Sequence, residues 1–178
     1  NGEPGIIFID TINRANPTPH IGQIEATNPC GEIPLLPYEA CVLGSVNLLK
    51  MVSPGNKDFD WELIRATVKS GVRMLDNIID IQDYPVQEIE TAHKGNRKIG
   101  LGVMGWADAL IKMGISYASE EALELADKTI SFITNEAMTE SQDLAQQYGV
   151  FPNYEGSVWD KEGIALRNAA LTMVAQPG

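Results

Sequence analysis

The sequence predicts an α/β domain whose helices outnumber its strands and whose strands are too few to complete a sheet. Three observations lead there. Two long stretches, one central and one in the second half, place apolar residues at steps of three and four. Short apolar runs bounded by glycine or proline read as strands. The first 56 residues are rich in Pro, Gly and Asn, which favours loops and short extended pieces over helix. At 178 residues the chain has the length of a single domain, enough to bury roughly 70% of its unfolded surface.

The elements follow in order. Ile6-Ile7-Phe8-Ile9, between Gly5 and Asp10, reads as a buried strand. Asn16-Pro17-Thr18-Pro19 is a loop, since each proline fixes φ and removes a donor. Pro29, Pro34 and Pro37 keep their surroundings out of helix, Val42 to Leu49 is a strand or the end of a loop, and Val52 to Asn56 is a turn. Asp60 then caps an amphipathic helix that runs to about Ile81, with Trp61, Ile64, Val68, Val72, Leu75 and Ile79 on one face. Pro85 ends it, and the polar stretch 86–98 has room for one or two helical turns. Gly100 to Gly105 reads as a glycine turn, and Trp106 to Met113 as a short helix stopped by Gly114. Ser119 caps the second long helix, with Glu120 and Glu121 complementing its dipole. Leu123, Ala126, Ile130, Ile133 and Ala137 form its apolar face, continuing to Leu144 and Tyr148 before Gly149 stops it. Residues 151–163 read as an aromatic loop and Ala169 to Ala175 as a last strand.

Composition bounds the function. Thirteen Lys+Arg against 24 Asp+Glu give a net charge of −11, which excludes a broad surface for nucleic acid or an acidic membrane. A small anion site built from backbone N–H groups stays open. No apolar run approaches the ~20 residues needed to cross a bilayer, and no signal-peptide pattern opens the chain, so a cytoplasmic location is expected. The two cysteines, Cys30 and Cys41, do not make a disulfide scaffold. A bond between them is disfavoured in a reducing cytosol, although the spacing can close if their Cα atoms come within reach.

His20 and His93 lack ligand-spaced partners, so they read as ordinary surface or loop residues and no metal is expected. Gly100-Leu-Gly-Val-Met-Gly105 matches a dinucleotide fingerprint in form, but polar residues 92–98 stand where an apolar strand should precede it. The glycines are read as allowing close packing instead. Trp61, Trp106 and Trp159 read as core anchors, and Glu120, Glu121 and Glu124 as a solvated helix face.

The chemically richest segment is Asn28-Pro29-Cys30-Gly31-Glu32. In extended backbone, residues two apart point the same way, so an amide, a thiol and a carboxylate would face one site. A carboxylate beside a thiol disfavours the thiolate. The arrangement suits a thiol that donates a hydrogen atom while the carboxylate takes a proton and the amide holds a hydroxyl. The same spacing also suits a small buried cysteine in a Pro-rich loop with Glu32 exposed.

Asn28-Pro-Cys-Gly-Glu32, Pro37-Tyr-Glu-Ala-Cys41 and Leu43-Gly-Ser-Val-Asn-Leu48 together resemble the active-site region of ribonucleotide reductase large chains, in the form of the class II, adenosylcobalamin-dependent branch. Gly2 to Asp10, Asn16 to His20 and Asn96 to Gly105 resemble further stretches of that family in the same order. The resemblance implies a partial ten-stranded α/β barrel of the ribonucleotide reductase/glycyl-radical type, residues 1–178 forming a single incomplete catalytic barrel domain with the active-site finger loop. It implies that Cys30 carries a transient thiyl radical that takes the 3′ hydrogen of a ribonucleotide. Glu32 would accept the 3′-hydroxyl proton, and Asn28, with Gly31 beside it, would bind the substrate. Cys41 would be one of two thiols that end as a disulfide, its partner lying upstream of this segment. The implied cofactor is adenosylcobalamin. The implied partners are a ribonucleoside di- or triphosphate, a thioredoxin-like reductant, and the remaining reductase segments or a second copy. The family's phosphate-cradling Pro-Thr-Gly-Thr loop would follow Val174-Ala175, where Gln176-Pro177-Gly178 stands here. The isolated chain is therefore expected neither to turn over substrate nor to bind cobalamin tightly. A non-catalytic module that docks onto other reductase chains is the alternative.

Overall fold

The computed structural model describes residues 5–55 and 57–172. The centre of the fold is a parallel strand pair, β3 (Val42–Asn47) and β4 (Ile99–Met104), in register from Val42 opposite Ile99 to Asn47 opposite Met104. Parallel neighbours need a long crossover. Here it is a 3-10 turn (Leu48–Met51), α2 (Trp61–Ile81) and α3 (Gln87–Asn96).

α2 forms as the periodicity requires. The Asp60 side chain accepts from the Leu63 N–H at the first turn, and Ile64, Val68, Val72, Leu75 and Ile79 are all fully buried. This face lies against β3 and β4, and α5 (Glu120–Tyr148) packs alongside. Close approach depends on Gly71, where a Cβ would sit 3.2 Å from Leu101 Cδ1. α4 (Trp106–Met113) follows β4 directly and ends at Gly114 in the left-handed region. Its cap, Gly105, also has positive φ, and a Cβ there would come 2.8 Å from Asn47 Oδ1. The Ser119 cap and the Gly149 stop of α5 stand where the sequence puts them. Trp61 and Trp106 pack on the core, and Trp159 donates its indole N–H to the Ala169 carbonyl.

Several expectations are corrected. Gly100 to Gly105 is not a turn, because its first five residues lie in β4. Ile99, Leu101 and Val103 alternate with glycines, and the alternation gives the strand a core side and a bare side. Ile6, Ile7 and Phe8 form no strand: Ile6 is 84% and Phe8 74% exposed, the run finds no pairing partner among the described residues, and Ile9 already begins α1 (Ile9–Arg14). The apolar face of α5 is rotated from the one expected. Leu123 and Ile130 are exposed, while Thr129, Glu140 and Ser141 turn inward. They can because each is bonded: Thr129 to the Leu125 carbonyl, Glu140 to Arg73, and Ser141 to Asn168.

His93 is buried rather than a surface residue. Its Nδ1 lies 3.0 Å from Gln82 Nε2 and its Nε2 3.4 Å from the Lys98 carbonyl, so both ring nitrogens are satisfied. Burial pushes the imidazole below its usual range. Residues 151–163 include a short helix, α6 (Val158–Glu162), between the Ser157 cap and Gly163. The expected last strand meets β4 through a parallel bridge at Thr172, with the Ile99 and Leu101 N–H groups donating to the Ala170 and Leu171 carbonyls. Its continuation to Ala175, and the departure at Gln176 to Gly178, lie outside the described residues. The architecture is mixed α/β. Among the described residues the strands form a parallel pair and a small antiparallel pair, not a closed barrel.

Candidate active site at the finger

The antiparallel pair is β1 (Ala26–Thr27) and β2 (Pro34–Leu35), a hairpin whose tip is Asn28 to Ile33. Backbone bonds close it: the Gly31 N–H donates to the Asn28 carbonyl at 3.0 Å and the Asn28 N–H to the Ile33 carbonyl at 3.1 Å. Gly31 sits at φ +87°, a conformation that glycine alone adopts freely. The tip is therefore a tight turn, not the extended run that alternation assumed. Turn closure still brings two of the expected groups together, since Asn28 Nδ2 donates to Glu32 Oε1 at 2.6 Å. Asn28 Oδ1 in turn accepts from the Ile33 N–H, so the amide both shapes the tip and orients the acid. Cys30 stands at the apex, exposed and free.

Behind the tip lies a cavity of about 310 Å³, walled by Glu32, Ile33, Cys41, Lys98, the bare backbone of Gly100, and Thr172 among others. Glu32 also borders a second cavity of about 310 Å³ on the Leu101–Val103 side of β4. Its Oε2 is buried without a hydrogen-bond partner among the described residues. A buried carboxylate oxygen left unpaired is costly, and the residue that carries it borders both cavities.

The cysteine in the cavity wall is Cys41, not Cys30. Burial, opposed by Lys98 and reinforced by Glu39 and Glu32, pushes the Cys41 thiol up to about 12. It therefore stays protonated at neutral pH. Both cysteines are free.

Two residues of the site were not singled out from sequence. Lys98 Nζ donates to Glu39 Oε2 at 2.6 Å, with the two side chains 4% and 2% exposed. Glu39 also accepts from the Leu36 N–H and from Asn96 Nδ2. Their only signal was position, inside stretches that carried the family resemblance, because a buried charge looks like any surface charge in a one-dimensional pattern. Among the described residues no cluster of three or more His, Cys, Asp or Glu is placed to hold a metal ion, and no helix is long and apolar enough to cross a membrane.

The finger hairpin thus carries Asn28, Cys30 and Glu32, and Glu32 shares a cavity with Cys41, Lys98 and the Ile99–Gly100 end of β4. The family model "Ribonucleotide reductase, barrel domain" matches residues 1–171, and the chain belongs to that family. Over 99% of its length it is 53% identical to a vitamin B12-dependent ribonucleoside-diphosphate reductase of Thermoplasma acidophilum, covering 23% of that protein. Over the same share it is 49% identical to a vitamin B12-dependent ribonucleoside-diphosphate reductase of Mycobacterium tuberculosis, covering 25%. A ribonucleoside-diphosphate reductase subunit alpha of Chlamydia muridarum is 42% identical over 90% of the chain and 16% of its own length. The chain thus spans about a quarter of the first two relatives.

Proposed function

We propose that this chain supplies the finger and part of the barrel wall of an adenosylcobalamin-dependent ribonucleoside-diphosphate reductase, acting in the cytoplasm. The observation that carries this reading is Glu32, which lines one cavity with Cys41, accepts from Asn28 at Oε1 and leaves Oε2 without a partner among the described residues. Cys30 is the thiol assigned to carry the radical. Its exposure at the apex suits it to a bulky group docking on the finger from outside, and in that respect the residues fit the cofactor. Adenosylcobalamin, when bound, supplies the homolytic chemistry that begins the reaction.

The remaining steps belong to the protein. Cys30, as its thiyl radical, takes the 3′ hydrogen atom of the ribose and returns it at the end of the cycle, and Glu32 accepts the 3′-hydroxyl proton and gives it back when the 3′ position is restored. Asn28 and the Gly31 backbone position the sugar. Replacing the 2′ C–O bond by C–H consumes two electrons and releases water. The electrons come from Cys41 and a second cysteine outside this segment, which end as a disulfide that a thioredoxin-like dithiol reduces. A thiol held protonated by burial is suited to deliver hydrogen rather than to act as an anionic nucleophile. The di- or triphosphate end of the substrate, and the reductase segments or second copy that complete the barrel, are partners in this reading.

The test is to replace the matching quarter of the Thermoplasma acidophilum enzyme with this chain. The chimera is expected to form deoxynucleotide with adenosylcobalamin and a dithiol, and Cys30→Ser to abolish it. The isolated chain is expected to be inactive. Turnover that survives Cys30→Ser would defeat the assignment. A chain that completes the barrel physically yet never supports turnover would favour the docking module.

A further inference from the structure

We propose that Lys98, clamped by Glu39, is a positioning residue that sets the reactivity of Cys41. The two side chains form the only ion pair among the described residues in which both partners are at least nine-tenths buried and one lines the finger cavity. Neither has a part in the chemistry assigned to Asn28, Cys30 and Glu32. A buried pair is expensive to desolvate and is weak evidence for stability, so its place in the wall of the thiol's cavity asks for another role.

Lys98 and Glu32 line the cavity with Cys41, Glu39 is paired to Lys98 behind it, and the charges of all three act on the thiol. Lys98 favours the thiolate, and the two carboxylates disfavour it. Glu39 is fixed from three directions, by Lys98, by the Leu36 N–H and by Asn96. Asn96 is itself held by Asn153 at 3.0 Å. On its other side Glu39 borders a more polar groove with Asn96 and Asn153. The ion pair thus forms a partition between that groove and the cavity that holds the thiol, and Glu39 restrains the lysine that shares that cavity with Cys41. When a disulfide at Cys41 is reduced, an incoming thiolate attacks one sulfur, the S–S bond breaks, and the other sulfur leaves as a thiolate. Lys98 is the group placed to receive that charge if Cys41 is the leaving sulfur. The catalytic significance rests on the redox role proposed above for Cys41, but the electrostatic claim does not.

The experiment therefore reads thiol chemistry without turnover, on the full 178-residue chain. Iodoacetamide alkylates a thiolate with loss of iodide, so its rate between pH 7 and 9 follows the thiolate fraction. Mass spectrometry scores Cys41, and the exposed Cys30 in the same molecule serves as the internal standard. Glu39→Gln is expected to speed Cys41 alkylation roughly tenfold, which corresponds to about one pKa unit. Adding Lys98→Met to Glu39→Gln is expected to reverse that gain, and Lys98→Arg with Glu39→Gln to restore it. The Arg and Met variants separate charge from steric access. Equal rates for Glu39→Gln and the Met double variant, with thermal melts like the parent, would overturn the proposal. Should the neutral variants fail to fold, Lys98→Arg alone keeps the charge and the pair. Its profile is expected within about threefold of the parent, and a tenfold departure would count against Lys98 charge as the controlling feature. If the charge dependence holds while the chimera above is inactive, the electrostatic role stands and the reductase reading falls.

Discussion

The helical core and the finger are held together by different means. α2 buries five aliphatic side chains completely against β3 and β4, and its cap and length follow the apolar period. The finger has two-residue strands and a tip closed by one asparagine, with Ile24, Ile33 and Leu36 as the buried aliphatic side chains in and beside it. Other asparagines do similar work. Asn13 bonds both the N–H and the carbonyl of Ile24, and Asn16 bonds the Gly22 carbonyl and the Thr18 N–H. A region built on apolar burial resists local opening, whereas one built on single polar side chains opens when one of them is removed.

The largest effect that would sharpen this contrast is in the core. Leu75→Ala is expected to cost about 2–5 kcal/mol in urea unfolding, because the side chain is fully buried between strand and helix. Loss well below that range would mean the core collapses around the gap. Asn28→Ala removes the bonds to Ile33 and Glu32. Its expected signature is faster thermolysin cleavage before Ile33, with a global melt lowered by no more than about 1 kcal/mol. A large drop in the melt would show that finger and core unfold together.

The smallest effect is a pH dependence from His93. Its pKa is lower folded than unfolded, so below about pH 6.5 the unfolded chain binds the extra proton first. Stability is expected to be fully present above that pH and to fall as pH drops from there toward the folded pKa. His93→Gln should flatten this part of the curve. An unchanged slope would place the acid sensitivity elsewhere.

Much of the core was readable because period and punctuation are local. Asp60, Ser119, Gly114 and Gly149 act within a few residues of the turn they start or stop, and each stands where expected. Glycine misled where it was read by itself. In Ile99-Gly-Leu-Gly-Val-Met the alternation was present, but the glycines suggested a turn until β3 was seen to supply the pairing edge. Ile6 to Ile9 failed in the opposite sense, since an apolar run is a strand only when another strand meets it. At the site, Asn28 and Glu32 were found by their spacing, although the turn rather than the pleat joins them.

The residue order alone therefore settled the caps, the long helices, the helix stops and the motif that marks the finger, because each depends on neighbours a few positions away. Only the folded chain decided that Cys41 rather than Cys30 faces the cavity, that His93 is interior, and that Lys98 meets Glu39 across 59 positions. Those outcomes depend on which distant groups share a low-dielectric space, and no local pattern of side chains carries that information.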